Sequence, residues 1–431
     1  MRSLGITGAL LSLGFLLTVS AQERVNLITI DGPINPAIKE FISNAIEQSE
    51  EEEALCLIIQ LDTPGGLVET TQEITKAFFA SRIPIVVYVA PPGAWAASAG
   101  TFITLAAHVA AMAPGTNIGA ASVVSLGMGA DSANATMLRK ATNNAVASIK
   151  SIAEERGRNV EWAEKAVTEA ASITASEALK LNVIDFVAPT LDSLLILMDG
   201  KVVKTTLGTD TLKTAQATIH TIDMPLRVKI LDLLSNPNIA YILFIIGIWG
   251  LFFEFYNPGV ILPGVIGGIC LILAFYAMNT LPVNYAGILL ILLSIIMFLL
   301  EIKIPSYGIL TIGGFISFIL GSIMLYDSDL PFMKLSWEII LTVAIFTALF
   351  FIFAVGMGLR AQRLKPAIGR EHIVQDVGQA LENFRNGTGQ ILYEGEIWQA
   401  VSDDKIRKDD RVKVIKVEGL TLTVKKLSDE E

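Results

Sequence analysis

The chain contains few of the residues that usually carry cross-links or acid–base chemistry. Among its 431 residues there are two cysteines, Cys56 and Cys270, and three histidines. Both cysteines lie in apolar stretches, so we predict buried thiols and no disulfide framework. Only 17% of the residues are charged and the net charge is −10, which argues against nucleic acid as a partner. No cofactor and no metal site is predicted.

Apolar residues, in contrast, are abundant. They make up 52% of the chain, and the mean hydropathy of +0.57 is too high for an ordinary soluble protein. One arginine, an apolar run from Leu4 to Val19 and the small residues that follow predict a secretory signal over residues 1–21, cleaved after Ala21. An uncleaved anchor is the alternative. Further apolar stretches predict a transmembrane region of about five spans over residues 237–360.

Two tandem units of strand, glycine-containing turn and helix predict an α/β domain over residues 22–190. In the first unit a buried strand ends at Asp62, and Pro64-Gly65-Gly66 turns the chain into a helix. In the second unit the apolar run Ile83 to Val89 ends at Pro91-Pro92-Gly93, and small residues open another helix. Because parallel strands end at one edge of a sheet, we expect both turns at the edge where α/β folds place their sites.

Ser98 is the candidate nucleophile in the second unit. Its neighbours Ala96, Ala97, Ala99 and Gly100 leave little side-chain bulk, so a substrate backbone could approach closely. In the first turn of a helix, a serine also lies beside unpaired N–H groups that can stabilise an oxyanion. A serine that only caps a helix has the same local pattern, and this stretch alone favours that interpretation.

The two turns together resemble a known family. LDTPGG, then YVAPPGAWAASAG about thirty residues later, then MAPGTNIGA are similar to the ClpP-class serine proteases, and above all to the membrane-bound NfeD family. The resemblance covers nearly the whole chain. It implies an α/β ClpP/crotonase-like domain, an α-helical transmembrane bundle and a small OB-like β-barrel. It also implies a serine endopeptidase that cleaves apolar peptide segments and acts with a stomatin-like (SPFH) membrane protein.

A nucleophilic serine needs a base, and none of the histidines is well placed. His108 lies at the far end of the candidate helix, about 15 Å away at 1.5 Å per residue, while His220 and His372 lie just before and beyond the membrane spans. The segment RKATNNAVASIKSIAEERGRN is similar to the part of NfeD-type proteases that carries their catalytic lysine, which implies Lys140 as the base. By spacing alone, a solvent-facing Lys140 or a role for Lys150 stays open.

The predicted site is therefore a Ser-Lys dyad with a main-chain oxyanion site. The neutral lysine accepts the serine proton, the serine attacks a peptide carbonyl, and backbone N–H groups hold the oxyanion. Ser98 is the predicted nucleophile and Lys140 the predicted general base. Gly66 and Ala99 are the predicted oxyanion donors, and Gly65 and Leu67 the predicted substrate-binding residues.

The rest of the chain is predicted to anchor this domain. Residues 191–236 are expected to form a β connector, with a hairpin turn at Asp199-Gly200, followed by an amphipathic helix from Leu226 to Leu234 on the membrane surface. The expected spans are Ile239–Phe253, Val260–Met278, Tyr285–Leu300, Ile309–Met324 and Ile339–Gly358. Basic residues after the last span predict a cytoplasmic C-terminal domain over residues 361–431 and an extracytoplasmic protease domain, in a bacterial-type plasma (inner) membrane.

An internal repeat runs through the apolar region. Glu254-x-x-x-Pro258 recurs as Glu301-x-x-x-Pro305, and a glycine follows nine residues later in both copies, at Gly267 and Gly314. We expect the two glutamates to anchor span ends at the membrane interface; a functional intramembrane acid is the alternative.

Two other functions are compatible with these patterns. One is a catalytically silent scaffold for stomatin-like proteins, and the other is an acyl-CoA-handling enzyme of crotonase type, for which a nucleophilic serine would serve no purpose. Membrane lipid and further copies of the chain are expected as additional partners.

Overall fold

The computed structural model describes residues 24–124, 132–256, 261–279, 281–304, 306–326, 328, 331–363 and 376–427. The predicted signal segment and His372 lie outside the described residues. The polypeptide divides into two compact units, one ending at Phe346 and the other beginning at Thr347.

A six-stranded parallel sheet forms the centre of the α/β domain, with strand order β11-β1-β2-β3-β5-β8. The strands of the domain are β1 (Arg24–Asp31), β2 (Cys56–Asp62), β3 (Ile85–Val89), β4 (Trp95–Ala97), β5 (Val109–Met112), β6 (Asn117–Gly119), β7 (Ser172–Thr174), β8 (Phe186–Val187), β9 (Val202–Thr205), β10 (Gly208–Thr211) and β11 (Thr218–Thr221). Its helices are α1 (Pro36–Glu51), α2 (Val68–Ala80), α3 (Ala99–Ala106), α4 (Ser132–Glu155), α5 (Val160–Thr168), α6 (Ala175–Lys180), α7 (Leu191–Met198) and α8 (Leu226–Leu234).

Alternate residues of the central strands enter two separate cores. Ile59 and Val87 are fully buried in a large core that also contains residues of α1 to α6. Ile58 and Val86 are fully buried in a second core on the other face of the sheet, together with Cys56, whose burial was predicted. A parallel sheet that is covered on both faces has nearly continuous apolar strands, which is the pattern in this sequence.

The segment after residue 190 differs from the β connector that we expected. Leu191–Met198 is helix α7, and with the β9–β10 hairpin it covers the second face of the sheet. The hairpin turns at Thr206-Leu207, not at Asp199-Gly200. Strand β11 then pairs in parallel with β1 at the sheet edge. Because the sheet needs cover on this face, the α/β domain extends well beyond residue 190.

Five apolar helices follow near the positions predicted for the spans. They are α9 (Pro237–Tyr256), α10 (Ile261–Met278), α11 (Tyr285–Lys303), α12 (Ile309–Met324) and α13 (Trp337–Arg363). Within the described residues, α9 and α10 are long and apolar enough to cross a membrane, whereas α11, α12 and α13 provide shorter apolar stretches. The number of crossings therefore stays a prediction.

The internal repeat corresponds to two helical hairpins, α9–α10 and α11–α12. At Gly267 the backbones of α9 and α10 come so close that only glycine fits. Glu301 at the end of α11 accepts hydrogen bonds from the Ser306 hydroxyl (2.6 Å) and from the N–H groups of Gly308 (3.1 Å) and Thr311 (3.0 Å). The carboxylate thus caps the start of α12, and its expected position at the membrane interface stays a prediction.

The second unit contains a small closed barrel of five strands. They are β12 (Val377–Ala380), β13 (Thr388–Tyr393), β14 (Glu396–Val401), β15 (Arg411–Glu418) and β16 (Thr421–Lys426), in the order β12-β13-β14-β16-β15. Alternate side chains fill its interior, among them the fully buried Ile391, Val412 and Leu422. The structure confirms the predicted order of an α/β domain, apolar helices and a small barrel.

Candidate active site

The turn between β2 and α2 is held against the segment that precedes α1. Gly65 has φ 125°, and its N–H donates to the Thr63 hydroxyl at 3.1 Å. The Ile34 N–H donates to the Gly65 carbonyl (2.8 Å), and the Leu67 N–H donates to the Ile34 carbonyl (3.0 Å). A Cβ on Gly66 would collide with the Ile34 carbonyl, so this close approach requires glycine. The Gly65-Gly66 turn therefore has a fixed backbone.

Ser98 occupies a strained position between β4 and α3. Its φ of 49° and ψ of −110° lie in a region that residues with a side chain rarely adopt. The Ser98 N–H donates to the Gly119 carbonyl, and the Ser98 carbonyl accepts from the Thr101 N–H, each at 3.0 Å. The buried Thr101 hydroxyl lies 2.9 Å from both the Ala96 and the Gly119 carbonyl oxygens. These bonds hold the strained conformation in place.

The Ser98 side chain faces the glycine turn. A Cβ on Gly65 would lie 2.8 Å from Ser98 Cβ and 3.2 Å from Ser98 Oγ. Among the residues that the structure describes, the Ser98 hydroxyl has no hydrogen-bond partner, and the N–H groups of Gly66 and Ala99 donate to none. A serine hydroxyl and two main-chain donors without a partner among the described residues thus line one cleft, a combination that acyl-transfer sites use.

These groups line a cleft of about 230 Å³ between α2, α3 and α4. Most of the described residues in its walls are small or apolar, and none of them is charged. They include Leu67, Val68, Phe102, Val123 and Ala145. An extended apolar segment would therefore find no unpaired charge in the cleft.

Lys140 lies at the edge of this cleft and not in its wall. Ala141, Asn144 and Ala145 of α4 line the cleft, whereas the Lys140 side chain is exposed to solvent. At 100° per residue, Lys140 is turned by about 90° from the middle of the lining face. The structure thus brings the lysine segment to the cleft, and a direct approach of Lys140 to Ser98 stays a prediction.

Lys150, the alternative base, is engaged elsewhere. Its Nζ lies 2.7 Å from Glu164 Oε2. The hydrogen bond and the charge of Glu164 raise the pKa of Lys150. Because a lysine acts as a base only in its neutral form, this ion pair argues against Lys150 in that role.

The two histidines that the structure describes, His108 and His220, lie outside the cleft wall. His108 follows the end of α3, where its Nδ1 accepts a hydrogen bond from the Ile85 N–H at 3.1 Å. Burial, followed by the charges of Arg156 and Arg158, lowers the pKa of His108 to about 3. His220 lies exposed on β11. No histidine lines the described part of the cleft, in agreement with the argument against a Ser-His-Asp triad.

Sequence reasoning missed two groups that shape the site. Ile34 lies about thirty residues before the turn that it holds, and no local pattern points to that contact. The short strand β4 pairs in parallel with β6 and fixes the chain just before Ser98, although PGAWAA has no strand periodicity. Both contacts arise from tertiary structure.

Family models match three parts of the chain: the N-terminal domain of NfeD1b (residues 24–197), the NfeD integral membrane domain (238–357) and the NfeD-like C-terminal, partner-binding domain (367–426). Membrane-bound protease PH1510 of Pyrococcus horikoshii is 35% identical over 416 residues, which span 94% of either chain. Membrane protein NfeD1b of Bacillus subtilis is 28% identical over 445 residues, 96% of either chain. The solved structure of a lysine-to-alanine mutant of a membrane-bound stomatin-specific protease, in complex with a substrate peptide, is 35% identical and covers 49% of this chain and 97% of its own, with a TM-score of 0.45.

Proposed function

Because the chain belongs to the NfeD family of membrane proteins, which includes a membrane-bound protease, we propose that it is a membrane-anchored serine endopeptidase. Ser98 is the nucleophile and Lys140 the general base of the proposed dyad. The observation that carries the proposal is the Ser98 hydroxyl, which has no partner among the described residues and faces the Gly65-Gly66 turn in an uncharged cleft.

The proposed reaction has two halves. In the first, the neutral Lys140 amine accepts the proton of Ser98 Oγ, and the oxygen attacks the carbonyl carbon of a peptide bound next to Gly65 and Leu67. The N–H groups of Gly66 and Ala99 stabilise the oxyanion, and the protonated lysine gives its proton to the departing amine. In the second half, water attacks the acyl-enzyme, the same amine takes a proton from that water, and Ser98 regains a proton as the acid product leaves.

The exposure of Lys140 bears on how the dyad is assembled. The residues at positions 135–140, at the start of α4, are all exposed, and among them Met137 and Leu138 are 59% and 37% exposed. Exposed apolar side chains beside an apolar cleft favour cover by a bound substrate or by a further copy of the chain. In this proposal such cover brings the amine to Ser98 and excludes water.

The proposed substrates are extended apolar segments of membrane proteins. None of the described residues that line the cleft is charged, which suits an extended apolar segment. One related protease is named as specific for stomatin, and the family model of the barrel domain is described as partner-binding. We therefore propose a stomatin-like membrane protein as substrate or partner, with the α/β domain outside the cytoplasm and the barrel inside.

A catalytically silent scaffold for the same partner is the second candidate. The observation that favours it is the solvent-exposed position of Lys140 outside the cleft wall. A scaffold would retain partner binding and would have no reactive serine.

Two measurements on the purified full chain in detergent distinguish an endopeptidase from a silent scaffold. One is labelling by a fluorophosphonate probe, and the other is cleavage of an apolar peptide. We expect Ser98→Ala to abolish both, and Lys140→Ala to lower both by at least about a hundredfold, because a positioned base contributes 10²–10⁴-fold. Lys150→Ala is the matched control and should stay within about twofold of wild type. Absence of labelling in the wild type would instead support the scaffold, and full activity of Lys140→Ala would remove that residue from the mechanism.

A further inference from the structure

The glycine turn of the candidate site is bonded through its main chain to two parts of the fold, to β4 at Thr63 and to Ile34 at Gly65 and Leu67. Ile34 donates to the Gly65 carbonyl and accepts from the Leu67 N–H, and it forms a parallel bridge with Gly66. Leu67 contributes to the cleft on one side of the turn and to a second cavity, of about 250 Å³, on the other. The Gly65-Gly66 part of the turn is therefore positioned by its bonds to Ile34 together with its close contacts with Ile34 and Ser98.

The residue after Ile34 is bound to the helix that precedes the membrane region. Asn35 Nδ2 donates to Asp232 Oδ1 on α8 at 2.7 Å, a contact between residues 197 positions apart. The side-chain oxygen of the same residue, Asn35 Oδ1, accepts a hydrogen bond from the Ile38 N–H at 3.0 Å and so caps α1. One amide side chain thus fixes the start of α1 and connects it to α8.

Helix α8 belongs to two hydrophobic cores at once. Its Val228 is buried in the large core of the α/β domain, and its Leu234 is buried with Tyr241 and Phe244 of α9. Only Ser235 and Asn236 separate the end of α8 from the start of α9. A movement of the apolar helices therefore reaches α8 directly.

We infer that Asn35 and Asp232 are positioning residues, which set the geometry of the oxyanion donor at Gly66 from the membrane-proximal helix. The inference rests on the proposed function for its catalytic consequence. The connection runs from α9 through α8 and the Asp232–Asn35 hydrogen bond to Ile34, and from Ile34 to the glycine turn. A membrane partner that shifts α8 changes the turnover of the protease without entering the cleft.

The test compares two contacts between α1 and α8. Asp232→Ala removes the bond to Asn35, whereas Arg227→Ala removes the ion pair between Arg227 and Glu40 (3.4 Å), which has no contact with the turn. We expect Asp232→Ala to lower kcat about tenfold with KM within about twofold, because sub-ångström displacement of a donor affects the transition state and leaves the cleft walls unchanged. Arg227→Ala should leave both constants within about twofold.

Two further variants separate positioning from general destabilisation. Asp232→Asn keeps an oxygen that can accept from Asn35 and should restore kcat to within about twofold of wild type. Asn35→Ser keeps the cap of α1 but cannot reach Asp232, and it should match Asp232→Ala. Equal kcat values for Asp232→Ala and Arg227→Ala, at equal melting temperatures, would overturn the inference.

Hydrogen exchange of the Leu67 amide tests the connection independently of catalysis. In the full chain we expect faster exchange in Asp232→Ala than in Arg227→Ala, because the amide donates to Ile34. If the wild type proves inactive and unlabelled, the proposed function fails, and this measurement still decides the structural connection. Equal exchange in the two variants would refute it.

Discussion

The two sides of the candidate cleft are held in very different ways. On one side, the Ser98 backbone and the Gly65-Gly66 turn are tied to buried groups through Gly119, Thr101 and Ile34. On the other side, residues 135–140 of α4, which include Lys140, are all exposed. The proposed nucleophile and the proposed oxyanion donors thus lie on backbone that the fold holds in place. In the proposed mechanism the base, Lys140, lies on a surface that an additional molecule has to cover, which would keep the protease inactive until it is assembled.

Gly65→Ala should disrupt the fixed side most strongly. The new Cβ would lie 2.8 Å from Ser98 Cβ, at a residue whose φ of 125° is already unfavourable for alanine. Displacement of the serine from its donors should lower kcat/KM at least about a hundredfold. Gly93→Ala is the control, since Gly93 also has a positive φ of 95° but has no atom within 4 Å of the added Cβ. Similar kcat/KM values for both variants would contradict a fixed serine.

The free energy of unfolding should also distinguish the two sides of the cleft. Thr101→Val removes a fully buried hydroxyl that bonds the backbone around Ser98, and we expect a loss of about 1–3 kcal/mol in the free energy of unfolding. Thr142→Val makes the same change on exposed α4, where the hydroxyl bonds the Leu138 carbonyl at 2.9 Å, and should stay within about 0.5 kcal/mol. Thermal denaturation of the full chain in detergent measures both, and equal losses would show that the two sides are equally constrained.

The same contrast explains what the sequence could and could not predict. The main strands and the meeting of the two turns were predicted because buried parallel strands are continuous apolar runs and glycine turns interrupt them sharply. The bond between Ile34 and the turn, the cover of the sheet by α7 and the cap that Glu301 provides depend on residues brought together only by folding. The lysine was identified by family resemblance alone, because its physical surroundings are those of an ordinary surface residue.

The smallest effect at neutral pH is expected at His108, at the opposite end of α3 from Ser98. Its pKa is about 3 in the folded protein because of burial and the charges of Arg156 and Arg158, against 6.5 for a free imidazole. As the pH falls from about 6.5 towards 3, the unfolded chain binds a proton that the folded chain does not, so stability is lost over this range. Replacing His108 with Gln should therefore reduce the loss of stability between pH 7 and pH 4 by about 3 kcal/mol. A pH profile of the His108 variant identical to that of the wild type would mean that the buried imidazole is protonated in the folded state.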